Sequence, residues 1–128
     1  MSDGITGLAG VVVWTSHERF QAMRRFYLET IGLPVRSDRA DFVSFQWGTP
    51  PRDVRLTISV HARVQGAAGD PLRIMVNLGV DDIHAVAARL VASGVDFSRP
   101  PEEEPWGGWI ATFHDPDGNV VQLLQPTG

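Results

Sequence analysis

Apolar residues follow strand-like and then helix-like spacing at the start of the chain. Ala9–Trp14 is a short apolar run rich in valine, which predicts a buried strand. Thr15–Glu18 matches a capping box, so we expect a helix to begin here. Gly32 and Pro34 predict its end, because glycine suits a left-handed C-terminal cap and proline cannot continue a helix. The apolar stripe between these signals consists of Phe20, Met23, Phe26, Tyr27 and Ile31.

Three extended segments follow this helix. Val35–Ser37 is a short candidate strand, and Phe42–Trp47 and Val54–Val60 show the alternation of a strand with one buried face. Gly48–Pro51 breaks the chain between the last two. The next segment, Gln65–Pro71, is small and polar, which is typical of a linker.

The second half of the chain repeats the same order of patterns. A strand is predicted at Leu72–Leu78, and Asp81 and Asp82 suit the start of a second helix. The helix stop, Gly94, lies 62 residues after Gly32, close to half the chain length. The apolar stripe of this helix is Ile83, Val86, Leu90 and Val91, and the later strands are predicted at Val95–Ser98, Trp109–Phe113 and Asn119–Leu124, with a turn at Asp115–Gly118.

These patterns predict an α+β fold made of two βαβββ modules, each backed by one helix. We expect a single domain over residues 1–128. Within it, the first module covers about 8–64, the linker about 65–71 and the second module about 72–126.

Composition and charge exclude several classes of function. Fifteen acidic against eleven basic residues give a net charge of −4, which argues against a nucleic-acid partner. The absence of cysteine excludes disulfides, cysteine nucleophiles and thiolate metal sites. The first residues contain no basic segment followed by a long apolar run, so we expect no membrane association and a cytoplasmic location.

Two segments resemble one protein superfamily. They are FYLETIGLPV at 26–35 and PWGGWIATFHDPDGNVVQLLQP at 105–126, within which the D-P-D-G-N-x-x-Q-L sequence is the most specific feature. The chain is similar to the vicinal-oxygen-chelate superfamily, which includes glyoxalase I, bleomycin-resistance proteins, fosfomycin-resistance enzymes and extradiol dioxygenases. The resemblance implies that the curved mixed sheets of the two modules enclose a cleft, and that the chain forms a homodimer.

The resemblance also implies where a metal would bind. Metal-dependent relatives place one ligand on the first and one on the last strand of each module. Only Gln122 among the matching residues is a plausible ligand, and a tightly held ion needs three or four. We therefore expect the usual metal site to be absent and no cofactor to be bound. The matching positions are Gly10 or Val12, Thr57 or Ser59, Met75, and Gln122.

Alternation on the predicted strand Val54–Val60 places polar side chains on the implied cleft face. Trp106 is predicted to lie in an exposed loop, where a large aromatic residue suggests ligand contact. Its neighbours Glu102–Glu104 favour a cation, so we expect a planar or cationic small molecule. The predicted ligand-binding residues are Trp14, Trp47, Arg55, Thr57, His61, Trp106 and Gln122.

No residue is assigned a catalytic role, because the histidines have no partner visible in the sequence and no G-x-S-x-G motif is present. Three functions therefore stay open. The first interpretation is a small-molecule-binding protein of the bleomycin-resistance type without the usual metal. Alternatively, the chain is a glyoxalase-like lyase, isomerase or dioxygenase with an unusual or absent metal. The third interpretation is an interaction module with a vestigial cleft.

Overall fold

The computed structural model describes residues 4–127 and contains two four-stranded mixed sheets, each with a helix packed behind it. The chain divides into two compact units, Met1–Gly66 and Ala67–Gly128. Each unit has the order β-α-β-β-β, so the predicted pair of βαβββ modules is confirmed. Within residues 4–127, no helix combines the length and apolar composition needed to cross a membrane.

The first unit contains four strands and one helical segment. The strand order in its sheet is β1-β4-β3-β2, with β1 parallel to β4 and the other neighbours antiparallel. Alternate residues of the two central strands, such as Phe45 and Leu56, are buried against the helix. The elements are β1 (Gly10–Thr15), α1 (Phe20–Arg25), β2 (Val35–Asp38), β3 (Phe42–Trp47) and β4 (Val54–Val60).

The second unit repeats this topology. Its sheet has the order β5-β8-β7-β6, with β5 parallel to β8. Phe113 pairs with Val121 as Phe45 pairs with Leu56, and all four side chains are buried. The elements are β5 (Met75–Gly79), α2 (Ile83–Ala92), β6 (Phe97–Glu103), β7 (Trp109–His114) and β8 (Val120–Gln125).

The first helix differs from its prediction at its start and in its second half. α-Helical geometry begins at Phe20, with Arg19 as the N-cap residue, because Thr15 is still the last residue of β1. Ser16 supports this start, since its Oγ accepts a hydrogen bond from the Arg19 backbone N–H at 3.3 Å. The helix then continues in π geometry over Phe26–Ile31 and ends, as predicted, at a left-handed Gly32.

The second helix begins where the sequence predicts, but its buried stripe is shifted. The Asp82 side chain accepts a hydrogen bond from the Ala85 N–H and so caps the helix. The prediction that Val91 lies in the core is wrong, because its side chain is 58% exposed. Ala87 is buried instead, in line with Ile83 and Leu90.

Two strand boundaries also differ from the predictions. β6 continues to Glu103, through Pro100 and Pro101, where a loop was expected. It is an edge strand with two register shifts, and proline is tolerated at such edges. Leu72–Ile74 lies outside β5, because the chain turns there with Arg73 N–H donating to the Asp70 carbonyl.

Candidate functional site

The face of the first sheet that points away from α1 carries most of the residues predicted for the site. We call it the outer face. Strand register fixes its members, because residues paired side by side across a sheet project to the same side. Three rows cross β1, β4 and β3 on this face, and they are Gly10, Arg55 and Gln46; Val12, Thr57 and Ser44; and Trp14, Ser59 and Phe42.

One end of the outer face is aromatic. Trp14 and His61 meet edge to face, with ring centroids 5.1 Å apart and planes at 81°. Trp14 is 48% exposed, so much of the indole faces solvent. His61 Nδ1 accepts a hydrogen bond from the Arg63 backbone N–H at 3.1 Å, which places the proton of the neutral ring on Nε2. The pair therefore offers an indole surface beside a hydrogen-bond donor.

The middle of the outer face presents hydroxyl groups. Ser44 and Thr57 are direct neighbours across β3 and β4, and their hydroxyl oxygens are 3.1 Å apart. Ser44 is buried and Thr57 is partly exposed. Because one hydroxyl donates to the other, each oxygen keeps acceptor capacity, and the floor between the two ends can bind polar groups.

The other end of the outer face is a charged cluster. Asp53 Oδ2 accepts hydrogen bonds from Gln46 Nε2 at 2.8 Å and from Arg55 Nε at 3.0 Å. The hydrogen bond from Gln46, followed by that from Arg55, lowers the pKa of the Asp53 carboxyl below its usual value. Asp53 is therefore an anion at neutral pH and holds the Arg55 guanidinium in one orientation.

A groove of about 850 Å³ lies beside this cluster, within the first unit. One wall is the segment Thr6–Ala9, and the other is Pro51–Arg55. Sequence reasoning missed Asp53, although alternation with Arg55 would have placed it on the same face. It also missed Gln46, which alternation on Phe42–Trp47 would have placed with Ser44, and the Thr6–Ala9 wall, for which the sequence contains no comparable signal.

The structure does not bring Trp47 together with the outer face. Trp47 pairs with Val54 and alternates with Gln46, so it projects to the helix-bearing side of the sheet with Phe45. It lies at the end of β3 and is partly exposed. Trp14, Arg55, Thr57 and His61, in contrast, share one face as the alternation predicts.

Gln122 lies in the second unit, at the position equivalent to Thr57 in the first. It follows Val121 as Thr57 follows Leu56, and it lies between Asn77 and Thr112 in the strand register. Its Nε2 donates a hydrogen bond to Asn77 Oδ1 at 2.9 Å. The middle row of this face in the second sheet therefore holds two amides and a hydroxyl, where the first sheet has a valine and two hydroxyls. The rows are Asn77, Gln122 and Thr112, and Val12, Thr57 and Ser44.

Trp106 lies in a tight turn between β6 and β7. The Gly107 N–H donates to the Glu104 carbonyl and the Glu104 N–H to the Gly108 carbonyl, both at 2.8 Å. The indole covers Gly108, because a Cβ on that glycine would lie 1.8 Å from Trp106 Cζ3. The indole therefore rests on Gly108, and Trp106 is exposed in this turn, as predicted.

The neighbouring glutamates are not a free acidic run. Arg99 donates from Nε to Glu102 and from Nη2 to Glu104 Oε1, the latter at 2.7 Å. Two of the three carboxylates beside Trp106 are thus paired with an arginine. Three carboxylates and one guanidinium leave a net negative charge beside Trp106, and the expectation of a planar or cationic ligand stays a prediction.

The residues at the metal-ligand positions do not fit a metal. Gly10 and Met75 have no oxygen or nitrogen in their side chains, and Thr57 and Gln122 supply a neutral hydroxyl and a neutral amide. Elsewhere in residues 4–127, no group of three or more His, Asp or Glu side chains is placed to hold an ion. Every buried side-chain nitrogen and oxygen of this range already has a hydrogen-bond partner.

Comparison with known proteins agrees with this architecture. Residues 12–124 match the family described as the glyoxalase-like domain, and the chain belongs to this family. It is thereby placed in the glyoxalase/bleomycin-resistance/dioxygenase superfamily. No functionally curated protein matches the chain significantly.

Three solved structures illustrate the likeness. TnmS3, an antibiotic binding protein from Streptomyces sp. CB03234, is 28% identical with a TM-score of 0.73, covering 98% of this chain and 100% of that one. A superfamily member from Sphaerobacter thermophilus is 24% identical with a TM-score of 0.70, covering 95% and 98%. A lactoylglutathione lyase from Agrobacterium tumefaciens is 15% identical with a TM-score of 0.71, covering 96% of each chain. The last two show the shared fold alone.

Proposed function

We propose that this chain binds a planar small molecule of the antibiotic type on the outer face of its first sheet, without a metal. The observation that carries the proposal is the half-exposed Trp14 against His61 at one end of a polar sheet face. Aromatic rings of a ligand stack favourably on such an indole, and His61 Nε2 can donate a hydrogen bond to a ligand carbonyl or hydroxyl. The similarity to an antibiotic binding protein supports the same class of ligand.

The side chains of the outer face favour binding over acid–base catalysis. On β1 and β4 this face consists of Gly10, Val12, Trp14, Arg55, Thr57 and Ser59. None of these six is a carboxylate or a histidine, the usual groups for proton transfer near neutral pH. His61, beyond the end of β4, contacts Trp14 and the Arg63 N–H and has no carboxylate partner within residues 4–127. Asp53 beside them accepts hydrogen bonds from Gln46 and Arg55, and these bonds lower the pKa of its carboxyl, so it is ionised at neutral pH. The enzyme interpretation has no comparable support.

Trp106 and Gln122 stay predicted ligand-binding residues of the second unit. Trp106 is exposed on one side and covers Gly108 on the other, so its outer ring surface is available to a ligand. Gln122 is partly exposed and keeps acceptor capacity on its carbonyl oxygen.

Thermal-shift and calorimetric titration with a panel of fused-ring aromatic antibiotics tests the proposal. We expect at least one compound to raise the melting temperature of the wild type and to bind Trp14→Ala about ten-fold or more weakly, the scale of a lost aromatic contact. His84→Ala is the matched control, because His84 makes a similar edge-to-face contact with Trp109 in the second unit.

The same titrations can refute the proposal. A panel without a single binder contradicts small-molecule binding of this class. Equal loss of affinity in Trp14→Ala and His84→Ala would show that the aromatic end of the outer face is not the site. If mass spectrometry shows that a bound compound is chemically converted during incubation, the enzyme interpretation would be favoured.

A further inference from the structure

We infer that the outer face selects ligands carrying an acidic oxygen group, a carboxylate or an ionised phenol, which binds Arg55 at the end opposite Trp14. This inference rests on the proposed function and specifies the chemistry of its ligand. It assigns Asp53 and Gln46 as positioning residues for Arg55, a role that neither has in the sequence analysis.

The first argument is the orientation of Arg55. Its Nε donates to Asp53 Oδ2, and Gln46 Nε2 fixes the same carboxylate oxygen from the neighbouring strand. The Asp53 side chain is only 11% exposed, whereas the Arg55 side chain is 40% exposed. The carboxylate is therefore the inner layer and the guanidinium the outer one. Within residues 4–127, no group accepts a hydrogen bond from the Arg55 Nη atoms, so these donors are directed to solvent or to a ligand.

The second argument is the charge around the groove. Arg52 and Arg55 line it together with Asp53, so the lining residues carry two positive charges and one negative charge. Asp53 neutralises one positive charge, and a ligand anion would neutralise the other. A guanidinium with free Nη donors matches the paired oxygens of a carboxylate, and such charge-assisted hydrogen bonds are stronger than neutral ones.

The third argument is the distance between the two ends. Arg55 and Ser59 lie four residues apart on β4, which corresponds to about 13 Å along a strand. Ser59 pairs with Trp14 across β1, so the same distance separates the cationic and aromatic ends. A ligand with an aromatic ring system and an acidic group at its far end would contact both.

Calorimetry with two matched probes, biphenyl-4-carboxylate and biphenyl-4-carboxamide, tests this inference near neutral pH. The probes share a shape and differ in charge. We expect the wild type to prefer the carboxylate by about ten-fold, the scale of one charge-assisted hydrogen bond. Arg55→Gln should abolish that preference. Arg73→Gln, which removes an exposed arginine of the second unit, should retain it.

Asp53→Asn separates positioning from simple charge. This variant removes a negative charge beside Arg55, so electrostatics alone would strengthen carboxylate binding. If Asp53 positions the guanidinium, the preference for the carboxylate falls instead. A preference that rises in Asp53→Asn would overturn the positioning role.

Further outcomes of the same titrations test whether the outer face prefers an acidic ligand. Equal affinity of the wild type for both probes, or equal preference in Arg55→Gln and Arg73→Gln, would overturn the inference. If both probes bind equally and Trp14→Ala weakens both, the proposed function stands while the acidic-ligand inference fails. Binding of neither probe below about 1 mM also overturns the inference, because a stacked ring with one salt link should exceed that affinity.

Discussion

The free energy of unfolding that is lost in Trp106→Ala measures how much the indole stabilises the turn between β6 and β7. Trp106 is 54% exposed, so a little under half of its surface is covered, and Gly108 lies against the indole. An aromatic side chain in a core buries about 150–250 Å². The covered part of Trp106 is then roughly 100 Å², which at about 25 cal/mol/Å² stabilises the fold by roughly 2.5 kcal/mol. Unfolded chains already cover part of this area, so we expect a loss of about 1.5–2.5 kcal/mol.

A double-mutant cycle with Gly108→Ala tests the contact itself. In the wild type the new methyl group would lie 1.8 Å from Trp106 Cζ3 and 2.8 Å from the Gln125 carbonyl oxygen, so the indole must move. In the Trp106→Ala background only the second clash remains. Gly108→Ala should therefore destabilise the Trp106→Ala background less than it destabilises the wild type, by at least about 1 kcal/mol.

Urea denaturation followed by far-ultraviolet circular dichroism measures these free energies, because that signal comes mainly from the backbone and the midpoint can be determined for each variant. Gly79→Ala is the control, since a Cβ at Gly79 meets nothing within 4 Å and should change stability by less than about 0.5 kcal/mol. Additive losses in the cycle would refute the contact between Trp106 and Gly108. A loss above about 4 kcal/mol for Trp106→Ala alone would mean that the indole belongs to the core.

Three further predictions concern charge, metal and assembly. Asp38 accepts a hydrogen bond from Arg24, which lowers the pKa of its carboxyl below the usual 3.8. The stability advantage of the wild type over Asp38→Asn should therefore be full above pH 3.8 and be lost as the pH falls through the lowered pKa. Urea midpoints of both proteins near pH 7 and pH 3 measure this difference. Elemental analysis of purified protein should find well below one divalent ion per chain, and a stoichiometric ion lost on His61→Ala or Gln122→Ala would contradict this. Light scattering should give the mass of a homodimer, because β1 is the outermost strand of its sheet and exposes Val11 and Val12. A monomer mass up to near-millimolar concentration would contradict this prediction.

Local pattern predicts the central parts of each sheet. The bounds predicted for β3 and β4 are those observed, because one face of each strand is buried and period-two alternation records that burial directly. β6 was missed beyond Ser98, because consecutive prolines and glutamates are typical of a loop. Only the position of β6 at the sheet edge makes that sequence compatible with a strand, and position in a sheet is a tertiary property.

The solvent exposure of individual side chains was harder to predict than the spacing of apolar residues along the strands. Leu72 and Ile74 are apolar, yet they are 82% and 70% exposed in a turn before β5. In the candidate site, alternation placed Arg55, Thr57 and His61 on one face, as observed. It did not reveal the bond between Gln46 and Asp53, since side chains from different strands meet only through the register. The pairing of Arg99 with Glu102 and Glu104 was missed for a related reason, because conformation decides which charges meet.

The equivalence of Thr57 and Gln122 has a consequence for how such a protein can change its ligand. Each lies between buried neighbours on its strand, Leu56 and Ile58 or Val121 and Leu123, but projects away from them. Substitutions at these two positions therefore leave the buried layer that stabilises each half untouched. The two repeated modules thus carry separately variable faces, with hydroxyls at the middle of one and two amides at the middle of the other. Side chains on one face can change while the other face, and the buried layer beneath each, keep their chemistry.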